Sequence, residues 1–269
     1  MNQYELKQAF TGGRQVYGTL VASPSPKWAA EIRKAGLDFV FIDSEHMPLD
    51  PSARAWMCRC YREMNLAPIV RIPRCNAMEA FAAMEAGAAG VIAPYIETAE
   101  EVRILAGVLR YRPLKGERLK GVLDGTVTLT EKEREYFRNY NDGCLLLLNI
   151  ESRHAVDHLD ELLTDEVDGV FIGPHDLSIN LGIPEEYDHP EFELYVERII
   201  AACRERGIGV GNHNSGSLEK QISWAKKGMN ITMWNSDVGR FVQAIGEDFD
   251  RVRKALGEES GEARGVVTI

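Results

Sequence analysis

Short apolar runs recur along the chain, and each is followed by a segment in which apolar residues return every three or four positions. Apolar runs closed by Gly or Pro are typical of buried strands, whereas the longer spacing is typical of helices that bury one face. The pattern predicts eight strands, at residues 16–22, 37–42, 67–70, 88–93, 145–150, 169–172, 208–210 and 229–233.

The segments between these strands predict helices, several of which carry capping residues at their ends. Asn76 and Gly87 bound one helix, since Asn accepts hydrogen bonds at a helix start and Gly readily adopts the left-handed conformation at its end. Another helix begins at Thr98 with an acidic first turn. The remaining predicted helices cover residues 28–35, 51–65, 155–163, 192–206, 218–227 and 238–255.

The regular alternation of strands and helices predicts a single α/β domain over residues 1–269, a closed parallel TIM (β/α)8 barrel. The length of 269 residues is close to the ~250 typical of such barrels. A doubly wound open sheet is the alternative. No Gly-x-Gly-x-x-Gly follows the first strand, so the sequence does not support a dinucleotide site.

Two segments depart from the regular alternation. Residues 111–142 are too long for a simple connection and contain a Lys- and Arg-rich loop and a charged helix at 131–140, which predicts an insertion that covers or lines a site. The end of the chain, residues 257–269, is rich in Glu and Gly at its start, and we expect it to be mobile.

Composition narrows the possible classes of function. The net charge of −10 disfavours non-specific binding to nucleic acid or to anionic membranes. No apolar run is long enough to span a bilayer, and the first residues lack the layout of a signal peptide. The five cysteines are odd in number and scattered, which favours free thiols and a cytoplasmic location.

Polar residues of the kinds used in catalysis or metal binding follow four of the predicted strands. Glu151 follows the strand at 145–150, and Asp176 follows the next strand 25 positions later. Because the carboxyl ends of parallel strands meet at one rim of a barrel, we expect both carboxylates there. The ends of the second and third strands add Arg71 and the group Asp43, Glu45 and His46 to the same rim.

Each of these residues also has a simpler interpretation. Asp176 follows Gly-Pro and could serve only as a helix N-cap, Arg71 could form a structural salt bridge with Glu45, and a lone histidine such as His46 is usually a polar loop residue. These interpretations do not predict that all of the residues converge at one rim. The convergence therefore favours a catalytic site.

Two carboxylates leave most coordination positions of a bound metal to water, and this suits a hard divalent cation such as Mg²⁺ or Mn²⁺ rather than zinc. Such a cation chelates a 2-oxo acid and acts as a Lewis acid on a developing enolate. Arg71 would add charge stabilisation, and His46 would move a proton. Asp43 or Glu45 would orient His46, and we prefer Asp43 for this role.

The chain resembles the HpcH/HpaI aldolases, the class II pyruvate aldolases, over most of its length from Tyr17 to Arg240. The motifs that carry the resemblance are Asp-x-Glu-His at 43–46, Val-Arg-Ile-Pro at 70–73, Glu-Ala-Gly-Ala at 85–88, Pro94, Tyr-x-Pro followed by Gly-x-Arg at 111–118, Ile-Glu at 150–151 and Gly-Pro-x-Asp-Leu-Ser at 173–178. The last motif, together with the Glu before it, is the most specific.

The resemblance implies a phosphoenolpyruvate/pyruvate-type barrel and a role for each matching residue. Glu151 and Asp176 would bind a divalent metal (Mg²⁺, Mn²⁺ or Co²⁺), Arg71 would face the keto oxygen of the donor, and His46 with Asp43 would form the acid–base unit. It also implies a homo-oligomer, commonly a hexamer, whose last helices pack on a neighbour. The implied substrate-binding residues are Asn149, Gly173, Pro174, His175, Arg118 and Glu85, with backbone N–H groups at 173 and 175 binding the donor carboxylate.

This chain departs from the family pattern around the metal and enolate machinery. Asn149 stands where the family usually has Gln, Leu119 where it has Gly, and Glu85 where a subunit-edge Asp is common. The first strand has Gly18-Thr19-Leu20 in place of Gly-x-Trp, and His175 fills a position often held by a small residue. The Asn149 side chain is one methylene shorter than Gln, so its amide reaches less far towards the metal and the substrate. We expect retained carbon–carbon lyase chemistry with an unusual acceptor preference.

The predicted activity is therefore cleavage or formation of a 4-hydroxy-2-oxo acid, giving pyruvate or a close analogue and an aldehyde through a metal-held enolate. A related hypothesis keeps the metal but changes the reaction, to decarboxylation of a 2-oxo acid or to cleavage of an acyl-CoA as in the citrate-lyase β-like proteins. A third hypothesis is a non-catalytic metabolite-binding barrel, which Asn149 and Leu119 favour and the intact acidic residues oppose. The partners are small molecules.

Overall fold

The structure is a computed structural model, and it describes residues 1–213 and 217–258. Most of the predicted tail, residues 259–269, lies outside the described residues. Eight parallel strands pair in sequence order and close into a barrel, which confirms the predicted TIM fold. The strands are β1 (Val16–Leu20), β2 (Phe39–Asp43), β3 (Ala67–Arg71), β4 (Gly90–Ala93), β5 (Leu145–Ile150), β6 (Gly169–Ile172), β7 (Gly209–Asn212) and β8 (Ile231–Ser236).

Helices connect the strands and surround the barrel. They are α1 (Gln3–Thr11), α2 (Pro26–Ile32), which a 3₁₀ turn extends over Arg33–Ala35, α3 (Pro51–Glu63), α4 (Ala77–Glu85), α5 (Ala99–Tyr111), α6 (Gly116–Leu123), α7 (Glu131–Tyr140), α8 (Arg153–Asp157), α9 (Leu159–Leu162), α10 (Pro174–Asn180), α11 (Pro190–Glu205), α12 (Leu218–Lys226) and α13 (Asp237–Leu256). The predicted caps at Asn76 and Thr98 both form, the latter as a full capping box with Glu101.

The core has two layers. One lies between the barrel and the helices and contains the outward side chains of the strands. The other fills the barrel interior, where Phe39, Phe41 and Phe171 are fully or almost fully buried. Helix α1, which the apolar pattern did not predict, closes the N-terminal end of the barrel with Leu6 and Phe10. The remaining opening is the rim formed by the carboxyl ends of the strands.

The segment at 111–142 forms the two helices α6 and α7. We expected the first part to be a Lys- and Arg-rich loop, but it is helical. Gly121 allows Val127 to pack against this helix, because a Cβ at position 121 would lie 2.6 Å from the Val127 side chain. The contacts of this insertion run along the flank of α5, as in the ion pair between Arg103 and Asp124 at 3.0 Å. These contacts do not support the expectation that it lines the site.

Helix α13 differs from the other long helices because Asp237 is its one buried residue among those described. Its apolar side chains recur every three or four positions and are all exposed: Val238, Phe241, Val242, Ile245, Phe249, Val252 and Leu256. The outer face of the barrel beside it is also open, since Tyr17 on β1 is 51% exposed. Among the described residues, no helix is long and apolar enough to span a membrane.

Candidate active site

The ends of β2 and β3 bring a buried arginine and a buried aspartate side by side. The two strands pair with Asp43 opposite Arg71. Arg71 donates two hydrogen bonds to the Asp43 carboxylate, from Nε to Oδ1 at 2.9 Å and from Nη2 to Oδ2 at 2.5 Å. Burial lowers the pKa of Arg71, but the hydrogen bonds and charges of its acidic neighbours raise it by more. The guanidinium is therefore a fixed positive charge at the rim.

Glu45 and His46 extend this cluster towards solvent. Glu45 Oε2 lies 3.2 Å from Arg71 Nη1 and 3.7 Å from His46 Nε2. The preferred pairing of His46 with Asp43 is not what the structure has, because both Asp43 oxygens bind Arg71 and Oδ1 also accepts the Glu45 N–H. His46 is about half exposed. Glu45 is thus the carboxylate that contacts the histidine, at a distance longer than a hydrogen bond.

Glu151 is a buried carboxylate, 4% exposed, directly after β5. Its Oε2 accepts the Tyr95 backbone N–H at 2.7 Å, and its Oε1 accepts an amide N–H of Asn149 at 3.0 Å. Burial raises the pKa of Glu151 to about 7; the charges of Asp176 and Glu45 add to this rise, while the Tyr95 hydrogen bond and the charge of Arg71 oppose it. A carboxylate in these surroundings favours a cation beside it.

Two backbone features make room for Glu151. Tyr95, which points its N–H at the carboxylate, has a φ of 44°, a left-handed conformation that is rare outside glycine. Gly173 lies so close that a Cβ there would approach Glu151 Oε1 to 2.2 Å. The glycine of the Gly-Pro pair is therefore required by the carboxylate.

Asp176 lies in the first turn of α10, half-buried beside Glu151. The interpretation that Asp176 is only an N-cap is wrong, because the N-cap is Gly173 and no side chain makes a capping hydrogen bond there. The negative charge of Asp176 instead contributes to raising the pKa of Glu151 and of Glu45, so the three carboxylates interact electrostatically at the rim.

The floor of the site contains a histidine that the sequence analysis did not single out. His213 follows β7, and its Nε2 lies 3.0 Å from Oδ1 of Asn149. Its ring packs against Phe41 and Phe171, with centroid distances of 5.1 and 5.2 Å. Burial lowers the pKa of His213 well below its ordinary value, and the charges of Arg71 and His46 lower it further. His213 is therefore neutral.

Three predicted substrate-binding residues have contacts of other kinds. Arg118 lies on α6, more than half exposed, and pairs with Glu133 of α7. Glu85 ends α4 just before β4 begins, so it lies at the barrel end opposite the rim, 3.7 Å from Arg112 Nε. His175 points away from α10 and lies 3.5 Å from Glu185. Within one chain, none of these three contacts belongs to the acidic cluster.

The expected anion contacts at the start of α10 are formed only in part. The Gly173 N–H already donates to the carbonyl of Ile150 at 3.2 Å, so it is not available to a substrate carboxylate. Pro174 has no N–H. The N–H groups of His175 and Asp176 lie in the first turn, and these two groups therefore have no acceptor within the helix.

The donor set at the rim fits a divalent cation with water ligands. Glu151 uses one hydrogen bond on each oxygen, and a carboxylate has about four acceptor positions, so both oxygens retain acceptor capacity. Asp176 provides a second carboxylate. With two carboxylates as its protein ligands, a cation here would complete its coordination with water, as Mg²⁺ does. The described residues contain no group of three or more His, Cys, Asp or Glu arranged to hold a metal.

The comparisons with known proteins agree with this geometry. The sequence model of the HpcH/HpaI aldolase/citrate lyase family matches residues 17–244. The 2-keto-3-deoxy-L-rhamnonate aldolase of Klebsiella pneumoniae subsp. pneumoniae is 29% identical over 242 residues, which are 89% of each chain. The protein of the same name from Escherichia coli K12 is 31% identical over 206 residues, 76% of this chain and 77% of its own.

A solved structure shows the same similarity in three dimensions. The HpcH/HpaI aldolase/citrate lyase family protein from Burkholderia cenocepacia J2315 superposes with a TM-score of 0.79 at 27% identity, covering 93% of this chain and 99% of its own. The chain therefore belongs to the HpcH/HpaI aldolase/citrate lyase family and is an enzyme of the carbon–carbon lyase class.

Proposed function

We propose that this protein is a divalent-metal-dependent aldolase that cleaves, or forms, a 4-hydroxy-2-oxo acid, with pyruvate or a close analogue and an aldehyde as the products. The observation that carries the proposal is the excess of acidic groups at the rim. Asp43, Glu45, Glu151 and Asp176 interact around one buried arginine, Arg71. Glu151 and Asp176 would hold the metal, which when bound supplies Lewis-acid polarisation of the 2-oxo group.

Residues of the chain itself bind and position the donor part of the substrate. Arg71, held rigidly by Asp43, faces the keto oxygen of the donor and stabilises the negative charge that develops there. The N–H groups at 175 and 176 bind the donor carboxylate. Asn149 acts through Glu151, because its NH₂ group donates to Oε1 of that carboxylate while its oxygen faces His213.

His46 moves the proton in the cleavage direction, with Glu45 as its partner. It accepts the proton of the 4-hydroxyl group while the bond between C3 and C4 breaks. The electron pair of that bond passes to C3 and the 2-oxo group to give the pyruvate enolate, and C4 becomes the aldehyde carbon. A proton returned to C3 completes pyruvate.

The names of two relatives support a substrate class. Two of them are named for a 2-keto-3-deoxy sugar acid, L-rhamnonate, and we propose a sugar-acid substrate of this type for the present chain. The half-exposed position of His46 supports a polar, hydroxylated aldehyde portion that reaches the mouth of the barrel. Leu20, where the family has a bulky aromatic, would widen the same region.

The test is release of pyruvate and aldehyde from a panel of 4-hydroxy-2-oxo acids that includes 2-keto-3-deoxy sugar acids. The enzyme is assayed with EDTA and then with added Mg²⁺, Mn²⁺ or Co²⁺. We expect release only with metal, in equal amounts of the two products. Metal-independent release, or release of CO₂ from oxaloacetate with no aldol cleavage, would contradict the proposal.

We also propose that the chain works as a homo-oligomer. A 20-residue helix with exposed Phe241, Ile245 and Phe249 beside an open barrel face at Tyr17 supports a second copy that covers both surfaces. Phe241→Asp combined with Phe249→Asp should reduce the molar mass measured by light scattering, whereas Tyr136→Asp, a change on the exposed surface of α7, should not.

A further inference from the structure

We infer that His213 is a positioning residue for the metal site: its imidazole fixes the Asn149 amide, which fixes the Glu151 carboxylate. The inference rests on the proposed role of Glu151 as a metal ligand. It concerns three consecutive strands, since Asn149 lies on β5, its partner Phe171 on β6, and His213 directly after β7. No motif of the sequence analysis includes His213.

The direction of the hydrogen bonds determines the orientation of the amide. The Glu151 carboxylate, when ionised, only accepts hydrogen bonds, so the Asn149 group that faces it at 3.0 Å must be the NH₂. The Asn149 oxygen then points to His213, and Nε2 must carry the proton that bridges their 3.0 Å separation. One tautomer of the neutral imidazole satisfies the whole chain of contacts.

The surroundings of His213 hold the ring in this orientation. Phe41 packs edge-on against it, with an interplanar angle of 69°, and Phe171 packs on another side at 36°. The His213 backbone N–H donates to the Ile172 carbonyl at 3.0 Å, which ties the residue to β6. A ring fixed at its backbone and on two faces has little freedom to release Asn149.

The arrangement explains how the short amide at position 149 is used. Asn149 is fully buried, and an unpaired amide there would be destabilising because it has no water to bond to. His213 satisfies its oxygen, so that the amide can hold Oε1 of Glu151 while Tyr95 holds Oε2. The orientation of the Glu151 carboxylate is thus fixed on both sides before a cation arrives.

The experiment compares Mn²⁺ binding by calorimetry in the wild-type protein and the variants His213→Leu, His213→Gln and Asn149→Ala. Leu is apolar and fits between the two Phe rings, but it cannot donate a hydrogen bond. We expect His213→Leu to weaken Mn²⁺ binding about 10–100-fold, as loss of an outer partner of a metal ligand typically does. His213→Gln restores an N–H donor of similar reach and should bind close to wild type.

The double variant separates positioning from general damage. If His213 acts through Asn149, adding His213→Leu to Asn149→Ala should cause little further loss of Mn²⁺ affinity. His158→Leu, a change on the outer helices, is the matched control and should bind like wild type. Additive losses in the double variant, or no rescue by His213→Gln, would overturn the inference.

A measurement on the unaltered protein keeps the inference testable even if a variant fails to fold. ¹⁵N NMR of the metal-free wild type should show His213 neutral with its proton on Nε2. A proton on Nδ1 would overturn the inference, because Nε2 could then not donate to Asn149. Wild-type protein that binds no Mn²⁺ would overturn the proposed metal site as well, whereas wild-type affinity in His213→Leu would overturn the inference alone.

Discussion

The two ends of the barrel each contain a buried aspartate that binds an arginine. At the N-terminal end, Asp168 accepts contacts from Lys7 at 2.8 Å and from Arg110 at 3.0 Å, and Arg110 also pairs with Glu166 at 2.7 Å. Two acids there meet two cations. The charges of these four groups therefore balance.

The rim has the opposite balance. Asp43, Glu45, Glu151 and Asp176 interact around Arg71, and burial raises the pKa of Glu151 to about 7. Burying a carboxylate without a partner is costly, so an arrangement of this kind persists for a reason other than stability. The comparison indicates that an Arg–Asp pair alone does not mark a site, whereas a surplus of one charge at the rim does.

The largest expected effect concerns His46, which has no counterpart at the N-terminal end. We expect His46→Ala to reduce the rate of aldol cleavage on the order of 10²–10⁴-fold, since it removes general acid–base catalysis. Mn²⁺ affinity should stay unchanged. Steady-state kinetics with matched calorimetry test this, with His158→Ala as the control. Cleavage near the wild-type rate would show that His46 is not the acid–base group.

Removing the arginine from each end separates catalysis from stability. Arg71→Ala leaves Asp43 buried without a positively charged partner, whereas Arg110→Ala leaves Asp168 with Lys7 as its remaining cation. Arg71→Ala should lower the free energy of unfolding by about 3–5 kcal/mol, and Arg110→Ala should lower it by less because Lys7 still faces Asp168; urea denaturation measures both. Only Arg71→Ala should also reduce kcat for cleavage, by about 10²–10³-fold, at a temperature where both variants are folded. Equal kcat in the two variants would break the comparison.

The pH dependence of stability tests the charge surplus directly. Glu151 has a pKa of about 7 in the folded chain against an ordinary 4.5, so the unfolded chain releases this proton at lower pH. The metal-free folded state therefore loses stability as pH rises from 4.5 through 7, by up to about 3 kcal/mol from this group.

Urea denaturation in EDTA across this pH range should show the loss in wild-type protein and not in Glu151→Gln. Saturating Mg²⁺ should remove the loss as well, because the cation takes the place of the proton. A wild-type profile in EDTA that matches the Glu151→Gln profile would refute the assigned environment of Glu151.

The smallest expected effect is at Lys7, which is partly exposed where it meets Asp168. Lys7→Ala should lower the free energy of unfolding by about 1 kcal/mol or less, as for other exposed ion pairs. Cleavage and Mn²⁺ affinity should not change. A change in the cleavage rate or in the Mn²⁺ affinity would mean that the N-terminal end is energetically coupled to the rim.

Much of the fold could be predicted from the sequence because strands buried on both sides are continuous apolar runs. β5 and β6 begin and end where the pattern predicts. Helix α6 could not be predicted, because its Lys-rich start and Gly121 resemble a loop, and only its packing against α5 favours a helix. Helix α1 was missed although Asn2 and Glu5 form a capping box.

The candidate site could be predicted where chemistry follows a strand immediately. Glu151, Asp176 and Arg71 all lie at the rim. The partner of His46 could not be predicted, because Asp43 and Glu45 both lie within three residues of it and the choice depends on which one Arg71 binds through both oxygens. His213 was missed because it lies among polar residues, so the sequence pattern does not show where β7 ends, although His213 too directly follows a strand.

The most direct test of the account is a calorimetric Mn²⁺ titration of the wild type, Asp176→Asn at the rim and Asp168→Asn at the opposite end. We predict one Mn²⁺ per chain for the wild type and for Asp168→Asn, and a large loss of affinity in Asp176→Asn. Equal binding by all three proteins, or none by the wild type, would contradict the claim that the acidic rim is a metal site.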